Sequence, residues 1–89
     1  MGVNYNYGLL SESIKFQGTT TLDDFGGQVL DSRVKIGDIV LWSFISGASY
    51  VAEVAIPIDG EIDWLVDTVI VSNPCVIGFV VLDGNKIPN

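Results

Sequence analysis

The chain is 89 residues long and 48% hydrophobic, with eleven acidic residues, four basic ones and no histidine. That length makes one domain, and a net charge of −7 excludes a surface built to grip phosphate backbones. Without histidine the usual Ser-His and Cys-His nucleophile pairs cannot form, and with Cys75 alone a Cys/His zinc site cannot either.

Val, Ile and Thr together number 26, whereas Ala and Leu number only ten. β-Branched side chains lose little freedom on a pleated surface and more in a helix, so the chain is biased towards strands. A domain this small hides only about 60–65% of its unfolded surface. Its mean hydropathy of +0.46 therefore predicts apolar surface that meets another protein. The longest apolar runs, Ile39–Ile45 and Cys75–Leu82, fall far short of the ~20 residues a membrane-spanning helix needs. Met1–Tyr7 lacks the basic and apolar regions of a secretory signal. Asn6 stands where N-myristoylation wants Ser or Thr.

In chain order, residues 1–11 read as an extended N-terminal arm in which Tyr5, Tyr7, Leu9 and Leu10 are set among Asn and Gly. Residues 12–89 form the domain. Ser13–Gln17 alternates, with Ile14 and Phe16 on one face, and predicts a half-buried strand. Gly18 and three threonines lead to Leu22–Gly27, read as a loop that can hold one helical turn at Leu22–Phe25. Gln28–Leu30 is a short strand, and Arg33–Gly37 a connector ending in the Gly37-Asp38 turn.

Ile39–Ile45 is nearly continuous in apolar character, which predicts a strand covered on both faces, or on one face with a partner on the other. Tyr50–Ile56 alternates with Tyr50, Ala52, Val54 and Ile56 on one side, and Pro57 ends it. After the Asp59-Gly60 turn, Ile62 and Trp64 point inward. Thr68–Ser72 and Cys75–Leu82 complete the strands, and Asp83-Gly84-Asn85 closes the last. Six or seven short strands punctuated by turns predict an all-β, single-domain small barrel or sandwich. Cys75 reads as a small buried hydrophobe.

Asp59, Glu61, Asp63 and Asp67 form the one chemically suggestive cluster. They lack the glycine and distal glutamate of an EF-hand loop and share one strand face, so a solvated hairpin edge explains them better than a cation site. Trp42 and Trp64 with Tyr50 allow an aromatic platform for a sugar or peptide, although their positions favour core packing. No catalytic residue, cofactor or metal is expected.

Two stretches resemble a known family. Lys35-Ile36-Gly37-Asp38-Ile39-Val40-Leu41-Trp42 and Asn73-Pro74-Cys75-Val76-Ile77-Gly78-Phe79-Val80 are similar to the Gly-Asp-x-Val-x-Trp and Ile-Gly-x-Val strands of small bacteriophage capsid cement (decoration) proteins. The resemblance implies a β-barrel or β-sandwich chain that binds the outside of an assembled head, often as a trimer, within a virion assembled in the host cytoplasm. The expected partners are a capsid or other virion protein and further copies of the chain, with neither nucleic acid nor membrane. The expected contacts are Tyr5, Tyr7, Leu9, Leu10 and Ile87. The alternatives are an acidic inhibitor or adaptor that binds a basic protein surface, and a small carbohydrate- or peptide-binding module.

Overall fold

The computed structural model describes residues 12–23, 26–47, 51–66 and 75–86. Six strands occupy most of them: β1 (Ile14–Leu22), β2 (Gly27–Leu30), β3 (Ile39–Ser46), β4 (Val51–Ala55), β5 (Glu61–Val66) and β6 (Cys75–Leu82). They form two three-stranded antiparallel sheets, ordered β1-β6-β3 and β2-β5-β4. The all-β expectation holds in this form. The barrel alternative does not, because no ladder joins one sheet to the other among the described strands.

The central strands supply the core. Cys75, Ile77, Phe79 and Val81 alternate along β6 and are buried; on β5, Ile62 and Trp64 do the same. With Leu22 and Val34 they make one cluster, and Phe16, Val40, Trp42, Phe44 and Val54 pack around it. Trp64 meets Phe79 across the two central strands with ring centroids 5.4 Å apart, and Phe79 meets Phe16 edge-on at 6.0 Å. Offset and edge-on aromatic contacts of this kind add to what buried area alone provides.

Several local expectations change. β1 runs on through the threonines to Leu22, because β6 offers a partner to every residue as far as Cys75 opposite Leu22. Thr20 turns towards the interior while Thr19 and Thr21 turn to solvent. The helical turn at Leu22–Phe25 is absent from its described part, since Leu22 ends the strand and Asp23 exchanges two backbone hydrogen bonds with Gly26 at 3.0 and 2.9 Å. Strict alternation along residues 50–56 breaks at a bulge between Val51 and Glu53, which lets both Val51 and Val54 reach the core. Tyr50, the Thr68–Ser72 strand and residues 1–11 lie outside the described residues.

One end of the molecule is knotted together by Asp38. Its carboxylate accepts from Lys15 Nζ at 2.7 Å, from the Lys35 backbone N–H at 2.9 Å and from the Gly84 N–H at 3.3 Å. Lys15 Nζ also donates to the Arg33 carbonyl at 2.9 Å. Burial pushes the Asp38 carboxyl up, but these three donors more than offset it and hold the group below the ordinary carboxylate range. Ser13 fastens the same end, donating from Oγ to the Lys86 carbonyl at 3.1 Å and accepting from the Asp83 N–H at 2.7 Å.

Beside this knot, Arg33 forks onto Asp31 at 3.0 and 2.7 Å and lies 4.1 Å over the Phe16 ring. The guanidinium's hydrogen bonds hold the Asp31 carboxyl down to about 2. Gly84 packs so closely on the Gly37 carbonyl that a Cβ would collide with backbone. Gly84→Ala is expected to cost about 1–3 kcal/mol in urea unfolding, since no flexible side chain can yield the space.

Candidate protein-binding face

A three-stranded sheet has one face for its core and must do something with the other. In the β1-β6-β3 sheet the inner set is Phe16, Thr20 and Leu22, then Cys75, Ile77, Phe79 and Val81, then Val40, Trp42 and Phe44. The outer set follows from the register. Gln17, Val80 and Leu41 lie in one row, and Thr19, Gly78 and Ser43 in the next. Thr21 and Val76 extend it at one side, and Ile39 and Ile45 stand along β3. None of these outer side chains is charged.

The face is uneven. Leu41 and Ile45 rise from β3 with 55% and 61% of their surface exposed. Beside them an open trough of about 660 Å³ runs past Gln17, Thr19, Ser43 and Val80 over Gly78. Gly78 keeps its floor low. A Cβ there would lie 3.0 Å from Ile45 Cδ1, so a larger residue would make the end of that side chain shift. With strands about 4.8 Å apart and rising about 3.3 Å per residue, the face covers roughly 370 Å². Only part of that area is apolar, because Gln17, Thr19, Thr21 and Ser43 lie among Ile39, Leu41, Ile45, Val76 and Val80.

The outer face of the β2-β5-β4 sheet is different in character. Glu53, Glu61 and Asp63 project from it among exposed Leu30 and Leu65. Gln28 Nε2 donates weakly to Asp63 at 3.4 Å. Asp63 beside it raises the Glu61 carboxyl, first by hydrogen bonding its protonated form, then through desolvation and repulsion. The molecule therefore has one uncharged apolar side and one acidic side.

This placement corrects the reading of the acidic cluster as a hairpin edge. Glu61 and Asp63 lie on β5, the central strand of its sheet. Asp59 is turned away into the turn, where it accepts the Ile36 N–H at 2.8 Å. Asp67 lies outside the described residues, and among those described no three Asp, Glu or Cys side chains are grouped to hold a metal ion. An aromatic platform does not form from the tryptophans. Trp64 is 1% exposed in the core, and Trp42 packs inward, edge-on to Phe44 at 5.4 Å.

Cys75 is buried, and burial pushes its thiol up, away from the reactive thiolate. Tyr5, Tyr7, Leu9, Leu10 and Ile87 all lie outside the described residues.

The sequence held a signal for the apolar face. Ile39–Ile45 is apolar at both parities, yet only Val40, Trp42 and Phe44 are turned to the core. With only one parity turned to the core, Leu41 and Ile45 stand exposed on the other face. Comparison of the chain with family models, characterised proteins and solved structures gives no match.

Proposed function

We propose that this chain is a non-enzymatic structural protein that seats the outer face of its β1-β6-β3 sheet on another protein, as a cement protein reinforcing a bacteriophage capsid. The observation that carries this reading is the uncharged ridge and trough formed by Leu41, Ile45 and Gly78 on a chain whose charge is −7. Apolar surface of this kind gains free energy when water leaves it. The acidic side opposite then faces solvent and keeps the assembly soluble.

A pair of antiparallel sheets around one core suits the role. Its core links the two central strands through Trp64 and Phe79, so the docking face is a rigid platform rather than a loop. The face alone supplies about half of the ~800 Å² that a stable interface uses on each partner. Tyr5, Tyr7, Leu9, Leu10 and Ile87 are further apolar groups suited to supply more, as arms reaching to the shell or to sister copies. The resemblance of the Lys35–Trp42 and Asn73–Val80 stretches to capsid cement proteins supports the same reading.

The test is co-sedimentation with expanded shells assembled from the major capsid protein encoded beside this chain's gene. Wild-type protein is expected to travel with the shells through a density gradient. Thr19→Glu with Val80→Glu puts two carboxylates on the face without touching the core, and is expected to leave the protein at the top. Deleting residues 1–10 should weaken attachment with the fold intact. Absence of a capsid gene in that neighbourhood, or wild-type protein that stays unbound, overturns the proposal.

A further inference from the structure

Asp59-Gly60 and Asp83-Gly84 are the two Asp-Gly pairs of the chain, and both lie in turns of the described structure. Asp-Gly is the aspartyl linkage most open to isomerisation, because glycine puts no side chain in the way. The glycine nitrogen attacks the aspartate Cγ: an N–C bond forms, a carboxyl C–O bond breaks and water leaves. Water then adds back to either carbonyl of the resulting succinimide. One product is aspartate again. The other is isoaspartate, whose backbone runs through the side chain and is one methylene longer. The nitrogen attacks after giving up its proton, so whatever holds that N–H governs the rate.

Both glycine N–H groups are held, but by different partners. At the first pair the Gly60 N–H donates to the Val34 carbonyl at 2.8 Å. The Asp59 carboxylate is drawn to another segment, where it accepts the Ile36 N–H at 2.8 Å. At the second pair the Asp83 carboxylate bends onto its own turn and accepts the Asn85 N–H at 2.9 Å, an arrangement that keeps it alongside Gly84. Here the Gly84 N–H donates to Asp38 Oδ1 at 3.3 Å, and the Asp38 side chain is 4% exposed. Lys15 Nζ and the Lys35 N–H take the other oxygen, Oδ2, which leaves Oδ1 to Gly84.

We infer that Asp38 guards the Asp83-Gly84 linkage against isomerisation, and that this linkage is where the folded chain ages once the guard is removed. A carboxylate makes a strong guard. Deprotonating the Gly84 nitrogen breaks a hydrogen bond to a charged acceptor and sets an amide anion against a carboxylate oxygen in a shielded site, where like charges repel most. Packing adds to it, since Gly84 lies against the Gly37 carbonyl with no room for a Cβ. The extra methylene of isoaspartate just before Gly84 would move it off Gly37 and Asp38. It would also draw the Asp83 N–H from the Ser13 carbonyl and the Lys86 carbonyl from Ser13 Oγ. The lesion therefore opens the end of the molecule that Asp38 ties together, whatever the outer sheet face binds.

The test incubates the full chain at neutral pH and body temperature, then locates isoaspartate by enzymatic methyl labelling and peptide mass spectrometry. At Asp83, folded wild type is expected to isomerise at least about tenfold more slowly than wild type unfolded in urea, in keeping with one hydrogen bond to a charged group. Asp38→Ala should remove most of that difference at Asp83 while Asp59 keeps its wild-type rate. Asp38→Asn, which keeps the size of the side chain but not its charge, should move Asp83 in the same direction. Ser13→Ala loosens the same turn but leaves the Gly84 N–H its acceptor, and should leave Asp83 near the wild-type rate.

Amide hydrogen exchange on the wild type reads the guard without substitution: the Gly84 N–H should exchange at least tenfold more slowly than in the unfolded chain. Equal isomerisation at Asp83 in folded and unfolded wild type overturns the inference. So does a Ser13→Ala rate at Asp83 as high as that of Asp38→Ala, a rise shared equally by Asp59 in both Asp38 variants, or a Gly84 N–H that exchanges as freely as in the unfolded chain.

Discussion

Trp64→Ala is expected to bring the domain to the brink of unfolding at room temperature. Domains hold roughly 0.05–0.15 kcal/mol of stability per residue, or about 4–13 kcal/mol for a chain of this length. Truncating a large aromatic in a packed core costs about 3–5 kcal/mol, because the lost transfer energy is joined by a cavity the neighbours fill only in part. Among the described residues Trp64 is the largest fully buried side chain, and it links the central strand of one sheet to Phe79 on the central strand of the other. Its loss therefore loosens both sheets at once.

Trp64→Phe should be far milder. The indole Nε1 is buried and finds no hydrogen-bond partner among the described residues, and an unsatisfied buried donor costs about 1–3 kcal/mol. Removing that donor offsets much of the lost ring volume, so a net cost below about 2 kcal/mol is expected. Urea unfolding followed by far-ultraviolet circular dichroism measures both variants. A Phe substitution as damaging as Ala would show that the N–H is satisfied in solution.

Asp38→Ala is the second large effect, and it should depend on pH. The Asp38 side chain is 4% exposed and its partner Lys15 20% exposed, so the pair is well shielded from water. Removing one member of a buried pair leaves the other charge uncompensated; with Lys15 still partly in water, the expected cost is about 2–4 kcal/mol at pH 7. The Lys35 and Gly84 N–H groups lose their acceptor in the same step.

The carboxyl is held below its ordinary range in the folded state. Its contribution is thus complete above the unfolded value of about 4, and is lost as pH falls from there through the lowered folded value. Wild type and Asp38→Ala should differ in stability at pH 7 and converge towards pH 2. Asp31, which Arg33 holds down to about 2, adds to the acid sensitivity of the wild type in the same direction. Because that pair is far more exposed, Asp31 should contribute less than Asp38 does. A gap between wild type and Asp38→Ala that does not narrow on acidification would show that Asp38 acts by shape and not by charge.

The two large effects also mark how much was legible in the residues. Trp64 was placed inward by simple alternation with Ile62, since a β-strand turns successive side chains to opposite faces. Asp38 was visible only as half of a Gly-Asp turn. Nothing local announces that Lys15, 23 positions earlier, and Gly84, 46 positions later, converge on its carboxylate. The continuation of β1 through Thr19–Thr21 is hidden for a related reason: a polar, β-branched run looks like a loop until a neighbouring strand supplies its hydrogen bonds.

By itself the amino-acid order determined that the chain is made of short strands, where most of them turn, and which residues of β5 and β6 face inward. Those features are written in β-branching, in Gly, Asp and Pro punctuation, and in a period of two, all of which act over a few residues. The tertiary structure decided which strands are central, that β5 carries Glu61 and Asp63 in the middle of a sheet, and that Leu41, Ile45 and Gly78 come together on the outer face of the β1-β6-β3 sheet. Alternation gives each side chain a parity but no partner. Partners come from pairing between segments distant in the chain, where loop closure and core packing, not local preference, choose the neighbour.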